Sequence, residues 1–204
     1  MHIKIEFQKM KKILFTALAA FAIAGCAEKF PVIDDFGNHH YRLLTQDGTE
    51  VTFPDFLKGH YVVIGYIFTN CPDICPLTTN NMRRIQDWVK EEEIPNVRFV
   101  SLSFDPEVDR PDVLKRYAEL RKLDESNWTF LTGKKPTIDS LIKQVGVLAV
   151  PSDSTTTKNG EKIYYYVHTD RISVIDTQGK IRKNYRGSDI NLEEVVSDLK
   201  DLTN

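Results

Sequence analysis

The sequence lacks an excess of basic residues. Its 27 lysines and arginines are outnumbered by 29 aspartates and glutamates, and the formal net charge is -2. Residues 1–25 hold four lysines against one glutamate, so the rest of the chain is more acidic, at about -5. Proteins that bind the phosphate backbone of nucleic acids need a basic patch or stripe. The charge balance therefore argues against a nucleic-acid partner.

The N-terminal part lacks an apolar run that could span a bilayer, which takes about 20 residues. The run Ile13–Ile23 has only 11, follows several lysines and precedes small residues, as in a cleaved export signal. The segment Ile23–Cys26 resembles the lipobox of bacterial lipoproteins, in which the cysteine becomes the lipidated first residue. This resemblance implies a signal peptide over residues 1–25, lipidation of Cys26, and a lipid-anchored protein on the periplasmic or extracytoplasmic face of the cell envelope. The alternative is an ordinary cleaved signal with an incidental cysteine.

Cysteine is scarce, with three in 204 residues. If Cys26 carries lipid, only Cys71 and Cys75 remain to pair, and outside the cytoplasm such thiols tend to oxidise. A bridge between residues four apart closes too small a loop to constrain the unfolded chain much. The pair is therefore expected to serve chemistry rather than stability.

The chain also lacks repeats and low-complexity segments, and its length suits one domain. Residues 26–40 are expected to form a polar linker after the anchor, and residues 41–204 the domain. The expected elements are a hairpin at Leu43–Phe53, strands at Tyr61–Phe68, Val97–Phe104, Trp128–Leu131, Ile163–Val167, Arg171–Asp176 and Lys180–Tyr185, helices at Pro76–Glu92, Arg110–Leu123, Thr137–Gln144 and Asn191–Leu202, and a polar excursion at Ser152–Glu161. A β-α-β-α unit followed by a hairpin and a closing helix predicts an α/β thioredoxin-like fold, with a central mixed sheet flanked by helices and an N-terminal hairpin extension.

The two cysteines lie where the first long strand passes into a helix, in the run Asn70–Pro76. We expect Cys71 at or just before the helix start, with Pro72 able to occupy the first helical position, where a missing N–H costs nothing. Unpaired N–H groups and the helix dipole favour a thiolate there. Residues four apart share one helical face, so both sulfurs can meet one ion or each other.

Two chemistries suit such a pair. Two thiolates favour Cu(I), and an added imidazole would also accommodate Cu(II). The best candidate for that imidazole is His168, the one histidine of five that follows a strand late in the domain. Alternatively, Cys71 and Cys75 are the catalytic dithiol of a thiol-disulfide oxidoreductase. Thioredoxin-like oxidoreductases usually carry a cis-proline that faces the cysteines, just before the hairpin strand. The corresponding run Val167–Thr169 has no proline, so metal binding is favoured. A peroxidase would need a further resolving cysteine.

Taken together, these motifs resemble the Sco/SenC family, copper-binding thioredoxin-like proteins of the bacterial envelope and the mitochondrial inner membrane. The resemblance is carried, in order, by Leu44–Phe56, Phe68–Pro76, Ser101–Pro111, Trp128–Gly133 and His168. It implies that Cys71, Cys75 and His168 bind copper, as Cu(I) or Cu(II). It also implies a metallochaperone rather than an enzyme, which assists assembly of the copper centre of cytochrome c oxidase. The partner would be the copper-site subunit of that oxidase or another copper protein.

The surroundings of His168 depart from the family pattern. Family members commonly have Asp directly before the histidine, whereas this chain has Val167, with Asp170 two residues after the histidine. An acid that orients His168 is therefore expected to be missing or replaced. Asp105, at the end of a strand near the cysteines, is a candidate partner for the imidazole; its alternative use is a turn that starts the next helix.

Overall fold

The computed structural model describes residues 29–36, 39–156 and 162–203. The predicted signal peptide and Cys26 lie outside these residues, as does the end of the predicted polar excursion. From Val32 onwards the chain forms one compact unit. Within the described ranges no helix is both long and apolar enough to cross a membrane.

The described elements follow the predicted alternation of strands and helices. The strands are β1 (Asp34–Asp35), β2 (Tyr41–Thr45), β3 (Glu50–Phe53), β4 (Tyr61–Ile67), β5 (Val97–Ser103), β6 (Trp128–Thr132), β7 (Ala149–Thr156), β8 (Lys162–His168), β9 (Ile172–Ile175) and β10 (Lys180–Tyr185). The helices are α1 (Ile74–Glu91), α2 (Pro111–Leu120), α3 (Lys135–Gln144) and α4 (Leu192–Thr203), with a 3-10 turn at Asp55–Leu57.

Eight strands form one mixed sheet in the order β1-β10-β9-β4-β5-β6-β2-β3. Strands β4, β5 and β6 are parallel neighbours, and β9 lies antiparallel to β4. The three parallel strands are buried almost throughout, which is why their sequences read as apolar runs. The β2–β3 hairpin joins the sheet through β6. The mixed α/β sheet and its hairpin extension are thus as predicted.

Helix α1 packs closely on β4, and this contact places the second cysteine. A Cβ at Gly65 would lie 2.5 Å from the sulfur of Met82, so only glycine allows this approach without movement of the methionine. Met82 is itself fully buried. Cys75 lies in the first turn of α1, so the distance between α1 and β4 determines how far its sulfur lies from the sheet.

The start of α1 differs from the prediction. The helix begins at Ile74, so neither Cys71 nor Pro72 is helical, and Asp73 precedes the first turn without a capping side-chain hydrogen bond. Cys71 lies in the turn between β4 and the helix, with its N–H donated to the carbonyl of Phe68 at 3.3 Å. The cysteines are therefore positioned by two different elements rather than by one helical face.

Two segments expected to be irregular belong to strands. Asp34–Asp35, within the predicted linker, pairs with Lys180 and Ile181 of β10. Phe36 is 2% exposed and packs its ring at 88° against that of Phe53, so burial of an aromatic side chain draws this segment into the domain. Much of the predicted excursion is strand as well, since β7 continues to Thr156 by pairing with β8 in a separate two-stranded sheet.

Candidate metal centre

Three elements converge on the predicted ligands. Cys71 lies in the turn after β4, Cys75 in the first turn of α1, and His168 at the end of β8. Their sulfur and nitrogen donor atoms all lie within 4.8 Å of one another. Cys75 Sγ and His168 Nε2 are 3.9 Å apart. The structure thus brings together all three residues that the sequence singled out.

The separation of the Cys75 and His168 donor atoms fits a shared metal ion with little rearrangement. Bonds of about 2.3 Å to sulfur and about 2.0 Å to nitrogen, at angles of about 110–120°, put a sulfur and a nitrogen donor roughly 3.5–3.7 Å apart. The 3.9 Å between Cys75 Sγ and His168 Nε2 is close to this separation. Two thiols with one imidazole form a soft donor set, which suits copper better than magnesium or calcium.

The two cysteines differ in environment. Cys71 is half-buried, and hydrogen bonding from the Cys75 thiol lowers its pKa to about 3 despite partial burial, with help from His168 and the Cys75 and Asp73 backbone. The Cys75 N–H lies 3.4 Å from Cys71 Sγ. Cys75 is 1% exposed, and its contact with Cys71 together with burial raises its pKa. At neutral pH the pair therefore holds a thiolate at Cys71 and a thiol at Cys75, both unbridged.

His168 is oriented by a backbone carbonyl rather than by an acid. Its Nδ1 lies 3.1 Å from the carbonyl oxygen of Thr169, which can only accept, so Nδ1 carries the proton and Nε2 faces the sulfurs. The ring lies beside Phe68 and Phe104, at centroid distances of 6.1 and 5.1 Å. Burial opposes protonation, but Cys71 and the carbonyl outweigh it and raise the pKa of His168.

Asp170 and Asp105, the acids considered as partners of the imidazole, bind elsewhere. The Asp170 carboxylate accepts hydrogen bonds from the N–H and hydroxyl of Ser188, at 3.0 and 2.5 Å, and from Thr78 at 3.3 Å. Asp105 accepts hydrogen bonds from the hydroxyls of Tyr164 and Tyr166. No hydrogen bond joins Asp105 to the imidazole in the described part of the chain.

Sequence reasoning missed Asp109, which holds the start of the cysteine turn. This fully buried carboxylate accepts hydrogen bonds from the N–H and hydroxyl of Thr69, at 3.0 and 2.5 Å, and from Ser103 at 2.6 Å. It thereby ties the end of β5 to the turn that carries Cys71. An Asp just before a helix looks in sequence like an exposed turn residue, so only the Ser101–Pro111 motif pointed to this region.

Fold and site together define a class: an α/β domain in which two cysteines and a histidine converge beyond the end of a central strand. Comparison with known proteins shows which family within this class the chain belongs to. The SCO1/SenC family model matches residues 34–204. The SCO1 protein homolog of Bacillus subtilis (strain 168) is 34% identical over 156 residues, covering 76% of this chain and 77% of the relative. The chain belongs to the SCO1/SenC family.

Solved structures of the family share the fold. A SCO1/SenC family lipoprotein from Bacillus anthracis str. Ames gives a TM-score of 0.71 at 32% identity, covering 88% of this chain and 100% of that chain. BsSco, described as a member of the Sco family of cytochrome c oxidase assembly proteins with a disulfide switch, gives a TM-score of 0.67 at 28% identity. The match covers 86% of this chain and 96% of that chain. Copper-bound ScoI of Bradyrhizobium japonicum gives a TM-score of 0.62 at 27% identity, and the match covers 80% of this chain and 98% of that chain. These likenesses confirm the predicted thioredoxin-like fold.

Proposed function

We propose that this protein is a copper-binding metallochaperone of the cell envelope that assists assembly of the copper centre of cytochrome c oxidase. The observation that carries the proposal is the convergence of Cys71, Cys75 and His168 within 4.8 Å. The copper-bound relative and the relative described as an oxidase assembly protein support the choice of metal and of pathway.

The site has properties that a metal carrier needs. Three protein ligands leave room for a fourth from an acceptor, so the ion can pass by ligand exchange without ever being free. Cys71 and His168 are only partly buried, whereas Cys75 is enclosed. An acceptor can therefore approach from the side of Cys71 and His168 while Cys75 still holds the ion. The acceptor would be the copper-site subunit of the oxidase or another copper protein.

Anchoring through Cys26 is the second part of the proposal. A lipidated Cys26 would keep the domain at the envelope membrane, on its periplasmic or extracytoplasmic face. The relative from Bacillus anthracis is itself described as a lipoprotein. Membrane fractionation tests this point: the wild type should sediment with membranes, and Cys26→Ala should become soluble or remain as uncleaved precursor. Equal membrane retention of a processed Cys26→Ala chain would rule out the anchor.

A second function, reduction of a target disulfide, is favoured by the asymmetry of the two cysteines. The half-buried Cys71 thiolate can attack a target disulfide and form a mixed disulfide, releasing one target thiolate. Cys75 then loses its proton and attacks Cys71, which releases the second target thiol and leaves a Cys71–Cys75 disulfide. The pair supplies two electrons, so an external dithiol reductant must restore it after each cycle.

Cytochrome c oxidase activity in cells that lack the protein distinguishes copper delivery from target reduction. Deletion of the gene should lower cytochrome c oxidase activity, and added copper should restore it if delivery is the function. Restoration by a membrane-permeant thiol reductant, and not by copper, would favour target reduction. The His168→Ala variant sharpens the comparison, because it removes a metal ligand and leaves the dithiol. Full oxidase activity in the deletion strain would contradict both roles.

A further inference from the structure

Strand β8 presents two different faces. Tyr164, Tyr166 and His168 alternate on the face turned toward the cysteine turn, as the two-residue period of a strand requires. Tyr165 and Val167 point the other way and are 44% and 59% exposed. Two tyrosines therefore share the inner face of the strand with the histidine ligand.

A single buried carboxylate binds both tyrosines. Asp105 is 3% exposed; its Oδ1 accepts a hydrogen bond from the Tyr166 hydroxyl at 3.2 Å, and its Oδ2 accepts one from Tyr164. A tyrosine hydroxyl is protonated at neutral pH, so each phenol can donate to the carboxylate. Tyr164 also accepts a hydrogen bond from Asn70, the residue before Cys71, at 3.4 Å.

Asp105 is itself firmly held. Its N–H is donated to Ser103 Oγ at 3.0 Å, and its carbonyl accepts the N–H groups of Val108 and Asp109 at 3.1 and 2.8 Å. These bonds fix it at the end of β5, a strand in the centre of the large sheet. Asp105 therefore offers β8 an attachment point that belongs to the rigid core.

Strand β8 needs such an attachment. Among the described residues it pairs only with β7, in a sheet separate from the large one. Its C-terminal end continues towards β9, but as far as the structure describes the chain, its backbone does not pair with any strand of the large sheet. Side-chain contacts supply the link: the two tyrosine hydroxyls on Asp105, and the rings of Tyr164 and Tyr166 at 6.2 and 5.1 Å from that of Phe68.

We infer that Asp105, Tyr164 and Tyr166 form a clamp that fixes β8 and so places the His168 imidazole at the sulfurs. The inference rests on the proposed copper site and names positioning residues for it. The clamp acts on the strand rather than on the ring, whose Nδ1 is already bound to Thr169. The residue just before the histidine is Val167, whose exposed apolar side chain offers the imidazole no hydrogen-bond acceptor.

The clamp should matter more for Cu(II) than for Cu(I). Two thiolates satisfy Cu(I), whereas Cu(II) favours the additional imidazole nitrogen. Loss of the groups that orient a metal-binding histidine typically weakens metal affinity by about 10–100-fold. We therefore expect a Tyr164→Phe/Tyr166→Phe variant to bind Cu(II) about 10–100-fold more weakly while its Cu(I) affinity changes by less than about threefold.

The experiment compares the double variant with Tyr165→Phe, which removes a hydroxyl from the outer face of the same strand. Competition titrations give the affinities for Cu(II) and Cu(I), and electron paramagnetic resonance reports nitrogen coupling to Cu(II). The double variant should lose or alter this coupling, and Tyr165→Phe should match the wild type. Amide hydrogen exchange on the copper-free proteins should show faster exchange in β8 of the double variant only.

Wild-type Cu(II) affinity and nitrogen coupling in the double variant would overturn the clamp, as would equal effects in Tyr165→Phe. Asp105→Asn provides a second variant if the double variant does not fold; it removes the charge that both hydroxyls share and should also weaken Cu(II) selectively. Failure of the wild type to bind copper would instead contradict the proposed function. The exchange rates of β8 would still decide whether the clamp exists.

Discussion

Asp109 gives the sharpest test of how the cysteine turn is held. Asp109→Ala removes three hydrogen-bond acceptor contacts from a fully buried position, two of them to Thr69. The hydroxyls of Thr69 and Ser103 can rotate toward other acceptors, but the Thr69 N–H cannot. The Thr69 N–H is partly buried, so leaving it unpaired costs at most about 1–3 kcal/mol, the value for a fully buried group. Hydrogen bonds to a charged group contribute about 1.5–3 kcal/mol each. Relief of the buried charge offsets part of this loss, so we expect destabilisation of about 2–4 kcal/mol.

Urea unfolding measures this effect, with Asp112→Asn as the matched control. Asp112 is exposed, and within the described ranges its one ion pair is with Arg110 at 3.3 Å, so its replacement should change the free energy of unfolding by less than about 0.5 kcal/mol. Asp109→Ala should also weaken copper binding, because Thr69 lies two residues before Cys71. Equal stability of the two variants would refute the claim that Asp109 holds the turn.

The pH dependence of Asp109 adds a second, independent readout. Burial raises its pKa above the ordinary 3.8, although the hydrogen bonds from Ser103 and Thr69 oppose the rise. A carboxyl with a raised folded-state pKa binds its proton more tightly in the folded protein. Its contribution to stability is therefore fully present below pH 3.8 and falls as the pH rises through the folded-state pKa. The stability of wild type relative to Asp109→Asn should decrease over that interval; a difference that is constant with pH would contradict this.

Three further predictions concern the cysteines, the helix and the N-terminal segment. In the metal-free protein Cys71 is a thiolate and Cys75 a thiol, so only Cys75 must lose a proton to bind the metal. Binding of one Cu(I) near pH 8 should therefore release about one proton per chain in an unbuffered titration. Two ordinary thiols would release nearly two, and that result would contradict the assignment. Gly65→Ala should destabilise the protein by about 1–3 kcal/mol and weaken copper binding, since the new Cβ pushes Met82 and α1 away from β4; unchanged urea and copper titrations would contradict this. Phe36→Ala should lower the free energy of unfolding by about 3 kcal/mol in thermal unfolding, whereas Val32→Ala, at an exposed position, should lower it only slightly. Equal losses in the two variants would show that residues 34–36 belong to the linker and not to the domain.

The sequence predicts the fold well where the pattern of apolar residues decides it. The runs of β4 and β5 are buried on both faces, and their parallel pairing follows from the single helix α1 between them. The ends of elements are less predictable. Cys71 donates its own N–H to Phe68 and receives the N–H of Cys75 on its sulfur, so a turn replaces the helical start expected from Pro72.

The ligands were predictable and their supports were not. Cys71, Cys75 and His168 stand out by residue type and position. The partners of Asp105, Asp109 and Asp170 depend on long-range contacts, which spacing along the chain does not encode. Asp105 meets tyrosines 59 and 61 residues away, and Asp170 meets Thr78 92 residues away. The backbone carbonyl of Thr169 orients the imidazole, and a contact to a backbone atom cannot be predicted from the pattern of side chains.

X-ray absorption at the copper edge tests the central claim most directly. Reduced protein loaded anaerobically with copper should bind about one ion per chain, with two sulfur neighbours at about 2.2–2.3 Å and one nitrogen neighbour at about 2.0 Å for Cu(II). Cys71→Ser and Cys75→Ser should each remove one sulfur, and His168→Ala should remove the nitrogen. A spectrum without sulfur neighbours, or one unchanged in the cysteine variants, would show that copper does not bind where Cys71, Cys75 and His168 converge.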